Sequence, residues 1–153
     1  MTTPDIRIDD PRAAHVADLL AYHLAELRGE MAEFAFALDA GGLSSPDITF
    51  WTAWHGDVLA GFVALKQLAD GSGELKSMRA APAARGTGVG RALLAHVIAQ
   101  ARARGLSRID LETGTAALHA PARSLYRSAG FVDCGPFGDY RASPYNQFMT
   151  LPL

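Results

Sequence analysis

The chain reads as a mixed α/β fold, and two observations predict it. Between residues 48 and 80, runs of β-branched and aromatic residues are separated by short turns with glycine and aspartate, the pattern of an antiparallel meander. From residue 82 onward, strand-like runs alternate with apolar residues at helical spacing, which adds helix, strand, helix and two closing strands. A length of 153 residues fits one domain spanning 1–153. No repeat or low-complexity segment divides it.

The first strand is expected at Ile6 to Ile8. Asp10 then reads as a helix N-cap with Pro11 at the first helical position. Val16, Leu20, His23 and Leu27 follow at helical spacing, flanked by Leu19 and Leu24. A weaker helix is expected from about Glu30 to Leu38, ended by Gly41-Gly42, before a loop at Ser44 to Asp47. Ile48 to Trp54 and Val58 to Leu68 form a hairpin about His55-Gly56-Asp57, with Phe50, Trp51 and Trp54 expected in the core. The turn Asp70 to Gly73 leads to a third strand, Glu74 to Ala80, which is oddly polar. Simple alternation puts Glu74, Lys76 and Met78 on one face and Leu75, Ser77 and Arg79 on the other.

Pro82 breaks that strand. A glycine-rich loop, Arg85 to Arg91, opens a helix that runs to about Arg104 with Leu94, Val97, Ile98 and Ala101 on one face. Gly105 suits its C-terminal end. Arg108 to Thr113 is a strand. Pro121 opens a last helix with Ala122, Leu125, Tyr126 and Ala129 on one stripe, and Gly130 ends it. Phe131 to Cys134 and Phe148 to Leu151 close the sheet and offer edges for a homodimer.

Composition excludes several classes. A net charge of −2 argues against a strongly basic nucleic-acid or membrane-surface binder. The longest apolar stretch, Val58 to Leu65, is far short of the ~20 residues that span a bilayer. The single cysteine, Cys134, excludes an internal disulfide framework and is expected to be buried and inert. No Cys/His cluster has metal-ligand spacing, so no metal is expected. A cytoplasmic protein that handles a small molecule is the expectation.

The strongest chemical signal is Arg85-Gly86-Thr87-Gly88-Val89-Gly90-Arg91. Alternate glycines expose backbone N–H groups where a helix begins, and such a helix end attracts anions. Arg85 and Arg91 add charge, so the ligand should carry a phosphate or pyrophosphate. A Walker A loop is absent. The dinucleotide fingerprint fails because its third glycine would fall at Arg91, although Asp110 and Glu112 lie where its ribose-binding acid would be. The polar strand before the loop also lacks the apolar run of a central parallel strand.

Arg85-x-x-Gly88-x-Gly90 resembles the Q/R-x-x-G-x-G/A signature of the GNAT acetyltransferase superfamily. Ala122-Arg123-Ser124-Leu125-Tyr126 with Gly130-Phe131 is similar to that family's A-x-x-L-Y-x-x-x-G-F segment, and the order of elements matches over nearly the whole chain. More narrowly, Ile48 to Trp54, Leu75 to Arg79, Leu111 to Gly114 and Cys134 to Tyr140 resemble the bacterial YsnE-type acetyltransferases.

The resemblance implies acetyl transfer from acetyl-CoA to a small amine by direct attack in a ternary complex. It implies a mostly antiparallel sheet, flanked by helices and splayed between strands 74–80 and 108–113 at the acetyl-CoA site. The cofactor's pyrophosphate would lie on Arg85, Gly86, Thr87, Gly88, Val89, Gly90 and Arg91. Its pantetheine arm would add as a pseudo-strand to Met78, Arg79 and Ala80, where a backbone N–H near Arg79 or Ala80 would meet the thioester oxygen. His119 stands where the family often has an asparagine that contacts the cofactor arm. Tyr126 would protonate the departing thiolate, its plainer role being the large member of an apolar stripe. Glu74, and after it Glu112, is the candidate base, with an ion pair to Lys76 or Arg108 as the plainer role. His23, Arg28, Asp139 and Tyr140 are candidates to line the acceptor site. The competing functions are an acyl-CoA-binding regulatory or sensor module without turnover, and a nucleotide-dependent enzyme of Rossmann type.

Overall fold

The computed structural model describes residues 3–31 and 38–153, the side chains of 28–31 excepted. Among the described residues, seven strands and four α-helices follow in the order β1 (Asp5–Ile8), α1 (Ala14–Met31), α2 (Ala40–Leu43), β2 (Ile48–His55), β3 (Val58–Gln67), β4 (Gly73–Ala80), α3 (Val89–Ala103), β5 (Arg108–Gly114), α4 (Ala120–Ser128), β6 (Val132–Cys134) and β7 (Asn146–Pro152). They build one open sheet in the order β1-β2-β3-β4-β5-β7-β6. Every neighbouring pair is antiparallel except β4 with β5.

The sheet has a helical layer on each face. On one side α3 and α4 cover Trp51, Val63, Leu65, Leu75, Ile109, Leu111 and Met149. On the other, α1 and α2 cover Phe50, Phe62 and Ala64 through Val16, Leu19, Leu20 and Leu43. The apolar stripe read along α1 is thus the buried one, and His23 within it is 4% exposed.

Four local expectations are corrected. Asp10 does not cap α1: its Oδ1 accepts from the Arg12 amide at 2.9 Å and its carbonyl from Ala13 at 3.0 Å, so a turn forms first and the helix starts at Ala14. Gly41 and Gly42 do not end a helix but lie within α2, because Asp39 caps it by accepting from the Gly42 amide at 2.9 Å. Most of the helix expected from Glu30 to Leu38 lies outside the described residues. Ala129 falls past the last turn of α4 and is exposed, and Cys134, on the edge strand β6, is only half-buried.

The strand β4 carries the feature that shapes the site. Ala64 of β3 pairs with Lys76, yet Phe62 pairs with Arg79, so Val63 stands opposite both Ser77 and Met78. Ser77 takes φ of 51° in this bulge. The extra residue resets the alternation. Arg79 therefore joins Glu74 and Lys76 on the α1 face, where strict alternation had placed it opposite them, and Met78 packs with the α3 cluster. Across the other edge, β4 and β5 pair only at Gly73–Ile109 and Glu74–Asp110. Beyond Glu74 the two strands part, and the splay expected between them is present.

Candidate active site

A cavity of about 730 Å³ opens in this splay. Its walls come from β4, the glycine loop, the C-terminal half of β5, the start of α4, the inner face of α1, and Tyr140.

The glycine loop forms one end. A single 3₁₀ turn, Pro82–Ala84, follows β4, and Gly86 and Gly88 then take φ of 77° and 90°. The first bond of α3 runs from the Ala92 amide to the Gly88 carbonyl, which leaves the amides of Val89, Gly90 and Arg91 without helical partners. Gly90 lies close to α4, for a Cβ there would sit 3.3 Å from Leu125 Cδ2. Arg85, Gly86, Gly88, Val89, Gly90 and Arg91 line the cavity. Thr87 does not; its hydroxyl turns back to the Ala84 carbonyl at 2.5 Å. Arg85 donates to the Tyr22 hydroxyl at 2.9 Å and lies 3.7 Å from Glu26 Oε1.

Met78, Arg79 and Ala80 form the floor, with the β4 edge toward β5 unpaired along them. The Arg79 side chain crosses to α1, where Nε donates to His23 Nδ1 at 2.9 Å and Nη1 to Glu26 Oε2 at 2.7 Å. A guanidinium is always a donor, so Nδ1 of His23 carries its lone pair and Nε2 its proton. Burial first, then the charge of Arg79, pushes the His23 pKa down to about 3, and the ring is neutral at physiological pH. Burial opposes ionisation of Glu26, yet the Tyr22 hydroxyl and Arg79 hold its carboxyl below the usual range.

The far wall holds the carboxylates. Glu74 is 5% exposed. Its Oε2 accepts from the Tyr140 hydroxyl at 2.5 Å and from Lys76 Nζ at 3.1 Å, so the anticipated ion pair to Lys76 exists inside the cavity wall. Glu112 accepts from Asn146 Nδ2 at 3.2 Å, and burial raises its pKa. Tyr126 lines the cavity from α4, its ring 5.8 Å from that of Phe131, and burial raises its pKa so that the hydroxyl keeps its proton. His119 is buried over Gly114, where a Cβ would come within 2.2 Å of the imidazole.

Of the four acceptor-site candidates, His23 and Tyr140 line the cavity, Asp139 is exposed and outside the lining, and the Arg28 side chain lies outside the described residues. Tyr22, Glu26 and Asn146 were missed. The first two had a usable signal, an i, i+4 spacing beside the apolar stripe of α1. Asn146 had none, since its contact to Glu112 spans 34 residues. Among the described residues, no group of His, Cys, Asp or Glu could hold a metal, and no helix is long and apolar enough to cross a membrane.

A glycine-rich loop at a helix N-terminus, an unpaired strand edge and the carboxylates of Glu74 and Glu112 thus share one cleft. The chain belongs to the acetyltransferase (GNAT) family, whose model matches residues 12–131. It is 44% identical to the uncharacterised N-acetyltransferase YedL of Escherichia coli over 149 residues, 97% of this chain and 94% of that one. It is 44% identical to YsnE of Bacillus subtilis, also an uncharacterised N-acetyltransferase, over 97% and 99% of the two chains. The fold superposes on a Klebsiella pneumoniae protein named as an acyl-CoA N-acyltransferase with a TM-score of 0.82 at 28% identity, covering 98% and 97%. A Bacillus subtilis acetyltransferase in complex with CoA shares the fold, with a TM-score of 0.71 at 21% identity over 98% and 99%. The chain is an N-acetyltransferase with acetyl-CoA as its co-substrate.

Proposed function

We propose that the chain, as a single catalytic domain over 1–153, moves the acetyl group of acetyl-CoA to the amine of a small molecule by direct attack in a ternary complex. One observation carries this reading: the unpaired edge of β4 separates the glycine loop and Tyr126 from the carboxylate of Glu74 within a single cavity. Both substrates can therefore meet across that strand, with no covalent enzyme intermediate required.

In this reading Arg85, Gly86, Gly88, Val89, Gly90 and Arg91 bind the pyrophosphate, and Met78, Arg79 and Ala80 pair with the pantetheine arm, flanked by His119. The acceptor occupies the α1 face, beside His23 and Tyr140. Glu74 takes a proton from the acceptor ammonium, and the freed nitrogen pair attacks the thioester carbon. A β4 amide near Arg79 stabilises the oxyanion, an interaction worth about 3–4 kcal/mol in comparable sites. The C–S bond then breaks, and Tyr126 gives its proton to the departing sulfur. Glu74 is preferred to Glu112 because it lies on β4, the strand that also carries Met78, Arg79 and Ala80. The protein works in the cytoplasm on this reading, and the outer edge of β6 is available for a homodimer.

The test is thiol release from acetyl-CoA with a panel of primary amines. The Gly88→Glu/Gly90→Glu double variant should lose acetyl-CoA binding by calorimetry, since two carboxylates would meet the pyrophosphate. Retained turnover in that variant would refute the assignment of the loop.

A further inference from the structure

The base in the reading above needs a fixed carboxylate, and the structure shows how Glu74 is held. Both bonds that Glu74 accepts among the described residues fall on Oε2. Lys76 Nζ also donates to the Tyr140 oxygen at 2.7 Å, which closes a ring of three polar groups. The ammonium lies 5.4 Å from the Tyr140 ring centroid. None of the bonds falls on Oε1. The Tyr140 ring is seated in turn against Phe137 and Phe148, at centroid distances of 5.1 and 5.8 Å.

We propose that Tyr140 and Lys76 are positioning residues for acetyl transfer: together they lock Oε2 of Glu74 and present Oε1 alone to the acceptor amine. The proposal rests on Glu74 being the base. A carboxylate torsion is broad and roughly two-fold when free. Two donors on one oxygen remove that freedom and fix the direction of the lone pairs on the other. Proton abstraction then has one geometry, and small misplacements in such geometry are costly. Burial, and then the charge of Glu74, keeps the proton on Tyr140, so this bond runs from Tyr140 to Glu74. The acceptor's N–H bond breaks, the proton lands on Oε1, and the electron pair stays on nitrogen for the attack. Tyr140 is thereby moved from the acceptor ligands, where the sequence put it, to the support of the base.

Steady-state thiol release with acetyl-CoA and the best-used amine of a panel (tyramine, glycine, L-lysine, spermidine, 2-phenylethylamine) tests this. Tyr140→Phe should lower kcat about ten-fold while the acceptor KM stays within about two-fold. The Glu74→Gln/Tyr140→Phe double variant should be no slower than Glu74→Gln, because both changes act through one carboxylate. Lys76→Met should repeat the pattern, with thermal melting of each variant showing that it is folded. A raised acceptor KM at unchanged kcat in Tyr140→Phe would make Tyr140 a substrate ligand and overturn the proposal. Full multiplication of the two losses in the double variant, or wild-type kcat in Tyr140→Phe, would also overturn it. Undiminished turnover in Glu74→Gln, or no release with any amine of the panel, would refute the underlying reading instead.

Discussion

Replacing His23 with glutamine should flatten the acid dependence of stability. His23 is 4% exposed, and its pKa falls from 6.5 to about 3 through burial and the charge of Arg79. A depressed pKa in the folded state means that unfolding takes up a proton anywhere between those values. The stabilisation is therefore complete above pH 6.5 and is lost as the pH falls toward 3, at about 1.4 kcal/mol per unit. Between pH 7 and pH 5 this one residue accounts for about 2 kcal/mol. Glutamine keeps an acceptor for Arg79 and does not titrate. Urea unfolding at the two pH values, followed by fluorescence of Trp51 and Trp54, should show the wild type losing about 2 kcal/mol more than His23→Gln, or about 1 M in midpoint. His96, lowered by burial, and Glu112, raised by burial, are common to both proteins and cancel in the comparison. Equal losses in the two proteins would show that His23 is not held neutral by Arg79 and the core, and would refute the tautomer assigned to it.

Gly61→Ala should destabilise the fold by about 1–3 kcal/mol, seen as a lower Tm. The new Cβ would lie 2.6 Å from the Arg79 carbonyl and 3.0 Å from Val89, whereas Gly135→Ala meets nothing within 4 Å and should be neutral. Tyr126→Phe should leave acetyl-CoA affinity nearly unchanged in calorimetry and lower kcat by about 10²-fold or more; wild-type kcat would return Tyr126 to a purely packing role against Phe131.

The layered architecture was legible because it rests on local signals: the meander on turns such as His55-Gly56-Asp57, the helices on apolar spacing, the loop before α3 on alternate glycines. The splay between β4 and β5 was reached only through the family resemblance. The errors come from competition that no periodicity records. Asp10 had two uses for one side chain, a turn or a helix cap, and the turn won. The bulge at Ser77 was invisible, since a serine at positive φ leaves no mark comparable to a glycine, and one such residue moved Arg79 across the sheet. The partners of the site residues were hidden for a different reason. Arg79 to Glu26 spans 53 positions and Tyr140 to Glu74 spans 66, and contacts at that distance depend on the assembled fold.

The polarity of β4 follows from these long-range partners. A strand in the middle of a sheet that carries Glu74, Lys76 and Arg79 on one face must remove three charges from water, and each isolated charge would cost several kcal/mol. In the folded chain, Glu74 and Lys76 meet each other and Tyr140, and Arg79 meets Glu26 and His23. Such buried pairs add little net stability over apolar residues of the same volume, whereas breaking one is costly. Stability alone therefore gives no reason to place them there. Their effect is to tie α1 and the segment carrying Tyr140 to the same strand from opposite ends of the cavity. Glu74, which takes the acceptor's proton in the proposed reaction, thus belongs to the same set of contacts that holds α1 and Tyr140 against β4.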